Sequence, residues 1–599
     1  MCGIAGVMTR GGVAPNEEIL DSLTAALRHR GPDGEGRYVL NDTALLQTRL
    51  AIIDLDTGDQ PLFADVVPMR PPLALVGNGE IYNYLELKKT ITGVAFKTRS
   101  DCEPPLFLYH QHGIDFARHL RGMYAIAIHD PVQGRLVLAR DPFGIKPLYY
   151  GQTEDGFVFA SEFQAFLKAG LTKPRVRSDA RDELLQLQFT TGAETIFDGI
   201  YRVLPGETLV IENGEITERL LLAALPPVGN CAVTRESAIR ELDDVLEESV
   251  AVHQRSDVPY GMFLSGGVDS SALLAMMARL NANPVLALTA GFSGTFAHDE
   301  REHARAVAKA CRARHVEVDF SEQDFWDLLP DVVAATDDPV ADYAILPTYK
   351  LAAHARAEGL KVVLSGEGGD ELFGGYGRYR KAMRPRFLGR RDLRQQGALE
   401  KMGLLRSTDR KWRDGIAAAE ASLPDGLSRL QQAQAIDCAD WLPNDLLCKL
   451  DRCLMAHGVE GRVPFLDPKV ADFAFSLGDH LKVRKRRGKW VLRAWLDRVL
   501  PVADAFSAKR GFTVPVGEWI SRKAHNLGPM VAAQPGIEEA CNASAVTRLF
   551  SSLSGNHKKN GQAAWLLLYY ALWHNHHVLG RSVAGSVFDS LAPVGRIEI

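Results

Sequence analysis

The segment 259–271, which reads PYGMFLSGGVDSS, constrains the fold of this chain more than any other stretch. Residues 260–264 form a short apolar run that predicts a buried strand, and residues 271–280 predict a helix. Between them, Ser265 and the two glycines that follow it allow the backbone to turn tightly and to approach a ligand closely. The amides of this turn and of the first helical turn would point at one spot. The segment therefore predicts an anion-binding turn between a strand and a helix.

Asp269 places a carboxylate inside this turn, where phosphate alone would be repelled. A divalent cation between the carboxylate and the phosphates would remove the repulsion, so the turn predicts Mg²⁺ together with a nucleotide. A Ser-Gly-Gly triplet alone would favour the alternative, an ordinary capped turn before a helix. The complete string Ser-Gly-Gly-Val-Asp-Ser favours the nucleotide. No lysine follows its glycines, so it is not a Gly-x-x-x-x-Gly-Lys loop. It resembles the pyrophosphate loop of the ATP-pyrophosphatase superfamily.

A second loop rich in glycine and acidic residues follows the apolar run 360–364 and reads SGEGGDE over residues 365–371. Runs that predict strands alternate here with runs that predict helices, which indicates an open parallel α/β sheet. In such sheets, loops at the ends of neighbouring strands form the crevice that binds a nucleotide. A glycine-rich surface turn is the alternative, and the position at a strand end favours the crevice.

The composition excludes several classes of protein. A length of 599 residues predicts two to four domains, and 46% hydrophobic with 24% charged residues is typical of a soluble globular protein. No apolar run approaches the roughly 20 residues that span a bilayer, and Arg10 interrupts the first apolar patch, so we expect a cytoplasmic protein without a membrane partner. A net charge of −5 argues against nucleic acid as the main partner. The eight cysteines include no Cys-x-x-Cys pair, so neither zinc nor a disulfide framework is indicated.

A cysteine at position 2 opens the apolar run CGIAGV. If Met1 is removed, the free α-amino group of Cys2, with a pKa of about 7.7–8.0, lies beside the thiol as a base. Five further segments follow in order, and each carries polar residues at a turn or beside a predicted strand. They are RHRGPD (28–33), RLAIIDL (49–55, with a strand predicted over 50–55), NGEIYN (78–83), SD (100–101, after another short predicted strand) and RDPFGIKPLYY (140–150).

Together these segments resemble the class II glutamine amidotransferase domain over residues 2 to about 215. The resemblance implies an N-terminal-nucleophile hydrolase fold, in which two stacked antiparallel sheets are flanked by helices (αββα). It also implies that the Cys2 thiolate attacks the side-chain amide of glutamine, while the Asn78 side chain and the Gly79 N–H form the oxyanion hole. The glutamine-binding residues that it implies are Arg49 for the α-carboxylate, Glu80 and Asp101 for the α-ammonium group, and Asn78 with Gly79.

Two observations count against this resemblance or qualify it. Taken alone, Asn78-Gly79 would predict a hairpin turn, but the ordered set of segments favours the oxyanion hole. The chain departs from the usual family pattern at Cys102 and at Gln47-Thr48. Neither departure removes a functional group that glutamine hydrolysis requires.

Later segments are DR (451–452), EGRVPFLD (460–467) and AKRGF (508–512). With the first domain they are similar to the glutamine-hydrolysing asparagine synthetase family, and the resemblance covers nearly the whole chain. It implies that ATP activates a carboxylate as an acyl-adenylate, releasing pyrophosphate, and that ammonia from the Cys2 site travels inside the protein to attack it. The implied ATP-binding residues are Phe263, Leu264, Ser265, Gly266, Gly267, Asp269, Ser270, Ala290, Ser365 and Gly366, and the implied metal ligands are Asp269 and Asp370.

Two more catalytic residues follow from the same resemblance. Glu367 is implied to act on the acyl-adenylate or on the incoming ammonia. Lys509 is implied to neutralise charge on the α-phosphate in the transition state, a role that suits a compact cation. For Lys509, a solvated loop lysine beside Arg510 remains an alternative.

The expected domains are a glutaminase domain over residues 2–217, a linker over 218–232 and a synthetase domain over 233–599. The leading hypothesis is synthesis of asparagine from aspartate, ATP and glutamine. A different carboxylate acceptor, such as a peptide or a pathway intermediate, is the alternative, because the same motifs serve both. A regulatory protein or a plain glutaminase would not need both sets of groups. The oligomeric state stays open, with a homodimer among the alternatives.

We predict no binding or catalytic site in two further stretches, one basic and one rich in histidine. The basic run 484–489 (RKRRGK) is expected to be a solvated face. His574, His576 and His577 are expected to be solvated or to complement a helix dipole, rather than to bind a metal. Residues 525–599 are predicted to be mostly helical, with 565–573 packed on the synthetase core.

Overall fold

The computed structural model describes residues 2–227, 233–293, 300–384, 393–407, 409–507, 514–553, 558–582 and 585–592. Its strands are Cys2–Thr9 (β1), Gly34–Leu40 (β2), Thr43–Arg49 (β3), Leu62–Ala64 (β4), Leu73–Ile81 (β5), Gly122–Asp130 (β6), Arg135–Arg140 (β7), Tyr149–Thr153 (β8), Gly156–Ala160 (β9), Ile200–Arg202 (β10), Glu207–Glu212 (β11), Glu215–Leu221 (β12), Tyr260–Phe263 (β13), Leu286–Gly291 (β14), Arg314–Asp319 (β15), Val362–Leu364 (β16) and Glu460–Arg462 (β17).

The α-helices surround these strands. They are Glu17–Leu27 (α1), Tyr84–Thr90 (α2), Pro104–His112 (α3), Gln164–Lys168 (α4), Ser178–Leu187 (α5), Arg235–His253 (α6), Val268–Leu280 (α7), Arg301–Ala310 (α8), Glu322–Ala335 (α9), Ile345–Ala357 (α10), Gly369–Phe373 (α11), Gly377–Ala382 (α12), Asp414–Ala421 (α13), Arg429–Ile436 (α14), Cys448–Met455 (α15), Pro468–Ser476 (α16), Asp479–Lys482 (α17), Trp490–Val499 (α18), Val516–Ala532 (α19), Pro535–Ala540 (α20), Ala543–Ser551 (α21), Lys558–His577 (α22) and Val587–Leu591 (α23). A π-helical segment, Asp437–Leu447, leads into α15. Among the described residues, no helix combines the length and the apolar character needed to cross a membrane.

The first half of the molecule is a sandwich of two six-stranded antiparallel sheets. Their strand orders are β10-β8-β9-β1-β3-β2 and β12-β11-β7-β6-β5-β4. Successive side chains of a strand point to opposite faces, so Ile4 and Leu45 join the core between the sheets, whereas Ala5 and Leu46 pack under α1. The helix α3 covers the outer face of the second sheet. This architecture confirms the predicted αββα sandwich.

The hairpin of β11 and β12 closes this half. Asn213 and Gly214 form its turn with φ angles of +48° and +72°, which is the backbone conformation that a two-residue Asn-Gly turn needs. The strand β12 continues to Leu221, beyond the boundary expected at residue 217.

The second half is built on a five-stranded parallel sheet with the order β15-β14-β13-β16-β17. The chain moves outward from β13 to β15 and then returns to the other side of β13 for β16 and β17. The strand order therefore reverses between β13 and β16, and in open α/β sheets a ligand crevice forms at the carboxyl ends of the two strands at such a point. These are the strands that the two glycine-rich loops follow.

The C-terminal region is helical, and α22 is part of the core. Its residues 563–573 are buried, Trp565 Nε1 donates to the Ala341 carbonyl at 2.8 Å, and Trp573 Nε1 donates to the Thr336 carbonyl at 3.1 Å. These contacts confirm the prediction that 565–573 packs on the synthetase half.

The prediction that the histidines at the end of α22 are solvated was wrong. His574 and His577 are buried, and His577 Nε2 lies 3.0 Å from the carbonyl of Val333 in α9. Burial lowers the pKa of His577 to about 3. The ring of His576 is half-buried and bonds the Arg581 carbonyl at 3.0 Å. These rings act as packed neutral side chains because α9 and α23 cover this end of α22.

Two predicted strands are absent from the described structure, and the short strand β17 was not predicted. Residues 50–55 form a loop, in which Asp54 has a φ of +55° and its carbonyl accepts a hydrogen bond from Arg49. The residues directly before Ser100 are also irregular. The strand β17, only three residues long, pairs with β16, and its sequence carries no apolar run that would have indicated it.

Candidate active sites

Cys2 begins the first strand of the sandwich and is buried, with 7% of its surface exposed. The pairing of β1 with β3 places it opposite Arg49. Its backbone N–H donates to Asn78 Oδ1 at 3.2 Å, and Gln47 Nε2 donates to its Sγ at 3.0 Å. The fold therefore brings the proposed nucleophile and Asn78 into direct contact.

A buried amide donor without a partner lies beside this thiol. Asn78 is completely buried, and its Nδ2 has no hydrogen-bond partner among the described residues. A buried polar group left unpaired costs about 1–3 kcal/mol, so it calls for an explanation. A substrate oxygen placed next to the Cys2 sulfur would supply the missing acceptor, as an oxyanion hole does.

Gly79 contributes a backbone donor on the same strand. The backbone N–H groups two residues before and two residues after Gly79 bond side chains at the edge of the sheet. Gly77 donates to Gln60 Oε1 at 2.6 Å, and Ile81 donates to Asp101 Oδ2 at 2.7 Å. N–H groups two residues apart in a strand point the same way, so the Gly79 N–H points to this open edge as well. Its φ of +155° is one that glycine adopts readily.

Arg49 lies at the mouth of this site. It is 7% exposed, and its Nη1 donates to Asp59 Oδ1 at 2.6 Å. The Asp59 side chain is 82% exposed, and ion pairs with so exposed a partner are weak. A substrate carboxylate can therefore take the place of Asp59 on the guanidinium group.

Glu80 and Asp101 lie at the other end of the site. Both are buried, and burial raises the pKa of each carboxyl group. Glu80 Oε1 lies 3.2 Å from Nη2 of Arg462, while its Oε2 has no partner among the described residues. The charge of Asp101 also raises the pKa of Glu80, so a cation bound near both carboxyl groups would reduce the repulsion between them.

Burial raises the pKa of the Cys2 thiol above its usual value, although the charge of Arg49 opposes this effect. The resting group at neutral pH is therefore the thiol and not the thiolate. Because the thiolate is the nucleophile, this site needs a base in contact with the sulfur.

The pyrophosphate loop, residues 265–270, lies in the crevice of the parallel sheet. Gly266 has a φ of +66°, and Gly267 directly precedes α7, whose N-terminus faces the loop. The N–H and Oγ of Ser265 both lie 3.1 Å from Ser270 Oγ. The loop from β16 approaches closely, since a Cβ on Gly369 would lie only 2.5 Å from an oxygen of Asp269. The two loops thus form one narrow cradle.

A cavity of about 420 Å³ opens in front of this cradle. Its lining includes Ser265, Gly266, Gly267, Asp269, Asp370 and Lys489.

Lys489 is the cationic centre of the cradle. It is 3% exposed, and its Nζ contacts Oδ2 of Asp269 and, at 2.7 Å, Oδ1 of Asp370. Burial lowers the pKa of the ammonium group, but the charges of the two carboxylates outweigh burial and raise it. The prediction that the run 484–489 is a solvated face was wrong for this residue, because its last lysine turns into the crevice just before α18.

The carboxylates of Asp269 and Asp370 are suitable ligands for the Mg²⁺ that the pyrophosphate loop predicts. Asp269 and Asp370 come from two loops and bracket one cation, the ammonium of Lys489. Among the described residues, no group of three or more His, Cys, Asp or Glu side chains is placed to hold a metal. Magnesium commonly binds through one or two carboxylates together with substrate phosphates, so these two residues suffice only when a nucleotide is present.

The other predicted residues of the synthetase site lie at strand ends. Leu264 and Ala290 are buried and Phe263 is half-buried at the carboxyl ends of β13 and β14. Ser365 is buried after β16, followed by Gly366. Glu367 is half-buried, and its Oε2 has no partner among the described residues. Lys509 lies in the segment 508–513, outside the described residues.

Buried ion pairs join the two halves of the molecule directly behind Cys2. Arg30 is fully buried and donates to Glu162 at 2.6 Å and to Asp451 of α15 at 2.8 Å. Its Nε also donates to the carbonyl of Cys2 at 3.4 Å. The backbone of the proposed nucleophile is therefore tied through one guanidinium group to a helix of the synthetase half.

Sequence reasoning missed Gln47, Lys489 and Arg30 as functional residues. Gln47 was noted only as a departure from a family pattern, and Arg30 only as part of a turn-rich segment. Four of the five residues before Lys489 are basic, and such a charged run is typically solvated. Each gains its partners from strands or loops that are distant in sequence, so no local pattern indicated the contacts.

A cavity of about 860 Å³ lies elsewhere. It is lined by the segments around α13 and α14, including Arg410, Arg413 and Arg429. None of the predicted site residues lines it.

Comparison with known proteins supports the family resemblance of both halves. Residues 1–221 match the family model described as glutamine amidotransferase domain, and residues 241–575 match the one described as asparagine synthase. The chain is 29% identical to asparagine synthetase [glutamine-hydrolyzing] 1 of Bacillus subtilis, over 96% of this chain and 97% of that one. It is 33% identical to the putative asparagine synthetase [glutamine-hydrolyzing] of Mycobacterium bovis, with the same coverage. It is 30% identical to asparagine synthetase B [glutamine-hydrolyzing] of Escherichia coli, over 87% of this chain and 83% of that one.

Proposed function

This chain belongs to the asparagine synthase family, and we propose that it converts aspartate to asparagine with ATP and the amide nitrogen of glutamine. The products are asparagine, glutamate, AMP and pyrophosphate. The chain is thus an ATP-dependent ligase with a glutaminase half from residue 2 through the end of β12 at Leu221, a linker up to residue 232 and a synthetase half over 233–599.

In the glutaminase half, Cys2 is the nucleophile. Once Met1 is removed, the α-amino group of Cys2 takes the thiol proton, and the thiolate attacks the side-chain amide carbon of glutamine. Asn78 Nδ2 and the Gly79 N–H stabilise the oxyanion, while Arg49 binds the α-carboxylate and Glu80 with Asp101 binds the α-ammonium. The ammonium proton returns to the leaving nitrogen, ammonia departs, and water hydrolyses the thioester to glutamate.

In the synthetase half, the side-chain carboxylate of aspartate attacks the α-phosphorus of ATP and pyrophosphate leaves. The amides of the pyrophosphate loop bind the leaving group, and Lys489 stabilises the charge that develops on the phosphates. Ammonia then attacks the acyl carbon of the β-aspartyl-adenylate and AMP leaves. Glu367, with its unpaired oxygen, takes the proton that ammonia loses. Lys509 stays proposed as a second cation on the α-phosphate.

Asp269 and Asp370 would hold Mg²⁺, which supplies positive charge to the departing pyrophosphate when it is bound. Lys489 lies between these carboxylates in the described structure. Its ammonium would then move toward the phosphates as the metal takes its place.

The observation that carries this proposal is the unpaired Asn78 amide beside the Cys2 thiol, in a molecule whose second half places Lys489 between two acidic loops. The test is an assay of pyrophosphate release with glutamine, ATP and aspartate, together with identification of the amide product. We expect equal amounts of pyrophosphate and asparagine. Pyrophosphate release that requires a different carboxylate would contradict aspartate as the acceptor, while leaving the reaction type intact.

A further inference from the structure

An arginine of the synthetase half, Arg462, lies against the glutamine site. It belongs to β17, the edge strand of the parallel sheet, and none of its surface is exposed. Its Nη2 lies 3.2 Å from Oε1 of Glu80, which belongs to β5 of the glutaminase half. Glu80 is one of the two carboxyl groups proposed to bind the α-ammonium group of glutamine. A cation from the other half of the molecule therefore contacts a proposed substrate ligand, and none of the roles proposed above uses it.

The position of Arg462 is fixed by several bonds. Its Nη1 donates to the carbonyls of His253 at 2.9 Å and Arg255 at 2.6 Å, at the end of α6. Its Nε donates to Oε1 of Glu460. Its own carbonyl accepts from the N–H of Ser365 at 2.8 Å, at the start of the second glycine-rich loop. The guanidinium group cannot leave its place without breaking these bonds, so it forms a rigid support for the carboxyl group that it contacts.

Glu80 has one oxygen beside this support and one oxygen that is available. Its Oε2 is buried and has no partner among the described residues. The neighbouring carboxyl group differs, because Asp101 Oδ2 already accepts from the Ile81 N–H at 2.7 Å. Buried polar groups in proteins are normally hydrogen-bonded, so the free oxygen of Glu80 indicates a missing donor. The α-ammonium group of glutamine would supply that donor.

Arg462 also opposes the effects that favour a neutral Glu80. Burial raises the pKa of Glu80 most, and the charges of Glu460 and Asp101 raise it further. The charge of Arg462 is the largest effect in the opposite direction, and the amino terminus adds to it. The other titratable groups near Glu80 are neutral because their own pKa values are raised, and they are Tyr82, Tyr84 and Cys102. Without Arg462, the neutral carboxyl group would be favoured, which attracts an ammonium group less.

We propose that Arg462 is a positioning residue of the glutamine site, which holds Glu80 in place as the carboxylate that binds the α-ammonium group. The inference rests on the proposed glutaminase function and adds that the synthetase half supplies part of the selectivity for glutamine. A site that hydrogen-bonds a substrate group strongly rejects analogues that lack it. Glutaramate, which is glutamine without its α-amino group, is therefore the diagnostic analogue.

The experiment compares kcat/KM for glutamine and glutaramate, measured as ammonia release by the full-length protein. We expect the wild type to prefer glutamine by about 100-fold or more, and Arg462→Gln to reduce this preference to below about 10-fold at about pH 7. Arg462→Lys keeps the charge and should keep most of the preference. Arg121→Gln is the matched control, because Arg121 crosses the same interface to Asp467 and Glu248, and it should keep the full preference.

The pH dependence separates this role from a purely structural one. In Arg462→Gln, Glu80 ionises at a higher pH than in the wild type, so the preference for glutamine should recover as the pH rises toward about 8. Glu80→Gln cannot ionise and should lose the preference over the same range without recovery. The double variant Glu80→Gln with Arg462→Gln should show the preference of Glu80→Gln alone. Independent losses from the two substitutions would overturn the proposal, because Arg462 would then not act through Glu80.

Removing Arg462 leaves Glu460 and Glu80 buried without their cation, so Arg462→Gln can destabilise the fold. The double variant Glu460→Gln with Arg462→Gln removes both charges of the closest pair and tests the same ratio, and thermal unfolding shows which variants are folded. Equal losses for glutamine and glutaramate at every pH would overturn the proposal. So would unfolding of every Arg462 variant, including Arg462→Lys, since the role would then be structural. Absence of ammonia release from glutamine in the wild type would instead overturn the glutaminase function, and this inference with it.

Discussion

At the scale of single residues, glutamine use depends on one buried thiol that contacts Gln47 and Asn78. Cys2→Ala removes the nucleophile and no group of the ATP site. We predict that glutamine-dependent asparagine synthesis falls by about 10⁴-fold or more, while synthesis from ammonium salts continues. Both rates are measured as asparagine formed, and Cys102→Ala, which removes another buried thiol of the same half, serves as the control. Equal loss of both nitrogen sources would show that the two sites are not separate.

A substitution of Asp269 tests the predicted Mg²⁺ site. Asp269→Asn keeps the size of the side chain and removes its charge, so we expect the Mg²⁺ concentration for half-maximal pyrophosphate release to rise by about 10-fold or more. Glutamine hydrolysis should continue. Asp319→Asn, at the end of the edge strand β15, is the matched control and should leave the Mg²⁺ curve in place. An unchanged curve for Asp269→Asn would remove this residue from the metal site, and loss of both activities would indicate misfolding.

The residues that could be predicted from the sequence are those with informative neighbours along the chain. Cys2 follows the initiator methionine, and Asp269 lies inside a glycine-rich turn, so local patterns identified both. Lys489 could not be predicted, because its contacts with Asp269 and Asp370 depend on how α18 docks on the sheet. Gln47 reaches the Cys2 sulfur only through the pairing of β1 with β3.

At the scale of elements, α15 connects the two halves through buried charges. Asp451 of this helix bonds Arg30 at 2.8 Å and 3.1 Å. Asp451→Asn leaves Arg30 with less charge compensation in a buried site, and we predict a loss of about 3–5 kcal/mol in the free energy of unfolding. Chemical denaturation measures it. The control is Asp115→Asn in the exposed pair with Arg118, where we expect a loss below about 1 kcal/mol. Equal small losses for both variants would mean that the buried pair does not stabilise this interface.

Glu460 of β17 gives the same interface a pH dependence. Burial raises the pKa of Glu460, but the charges of Arg462 and Lys146 and the hydrogen bond from Arg462 together contribute more, and the pKa is lowered from 4.5 to about 2. A carboxyl group with a lowered pKa in the folded state stabilises the fold above its unfolded pKa and loses this effect as the pH falls. We predict that wild-type stability declines between about pH 4.5 and pH 2, and that Glu460→Gln declines less steeply over this window. Parallel declines would exclude Glu460 as a source of the acid sensitivity.

Helices and strands were predicted correctly where the runs of apolar residues were long enough to show a clear pattern. The strands and helices from β13 to β16 were predicted because each apolar run is bounded by glycine or polar residues. The residues 50–55 were wrongly predicted as a strand, since Leu50 and Ile52 reach the core from a loop that Asp54 turns with a positive φ. The three residues of β17 are polar or small, and they pair in the sheet because their charged side chains meet partners across the interface.

At the scale of the whole molecule, the account requires that nitrogen released at Cys2 reaches the adenylate without entering the solvent. Arg30 ties the Cys2 backbone to α15, and α15 also carries Lys449 near Glu367. One helix at the buried interface between the halves therefore carries both Asp451, which bonds Arg30, and Lys449 of the synthetase half.

The most direct test supplies glutamine labelled with ¹⁵N in its side-chain amide, together with ATP, aspartate and an excess of unlabelled ammonium. Mass spectrometry then measures the label in the amide of the asparagine produced, and AMP and pyrophosphate are quantified in the same sample. The account predicts labelled asparagine with little dilution by the ammonium, and one AMP and one pyrophosphate for each asparagine. Asparagine whose label is diluted to the level of the bulk ammonium would contradict internal transfer, and absence of asparagine would contradict the proposed function itself.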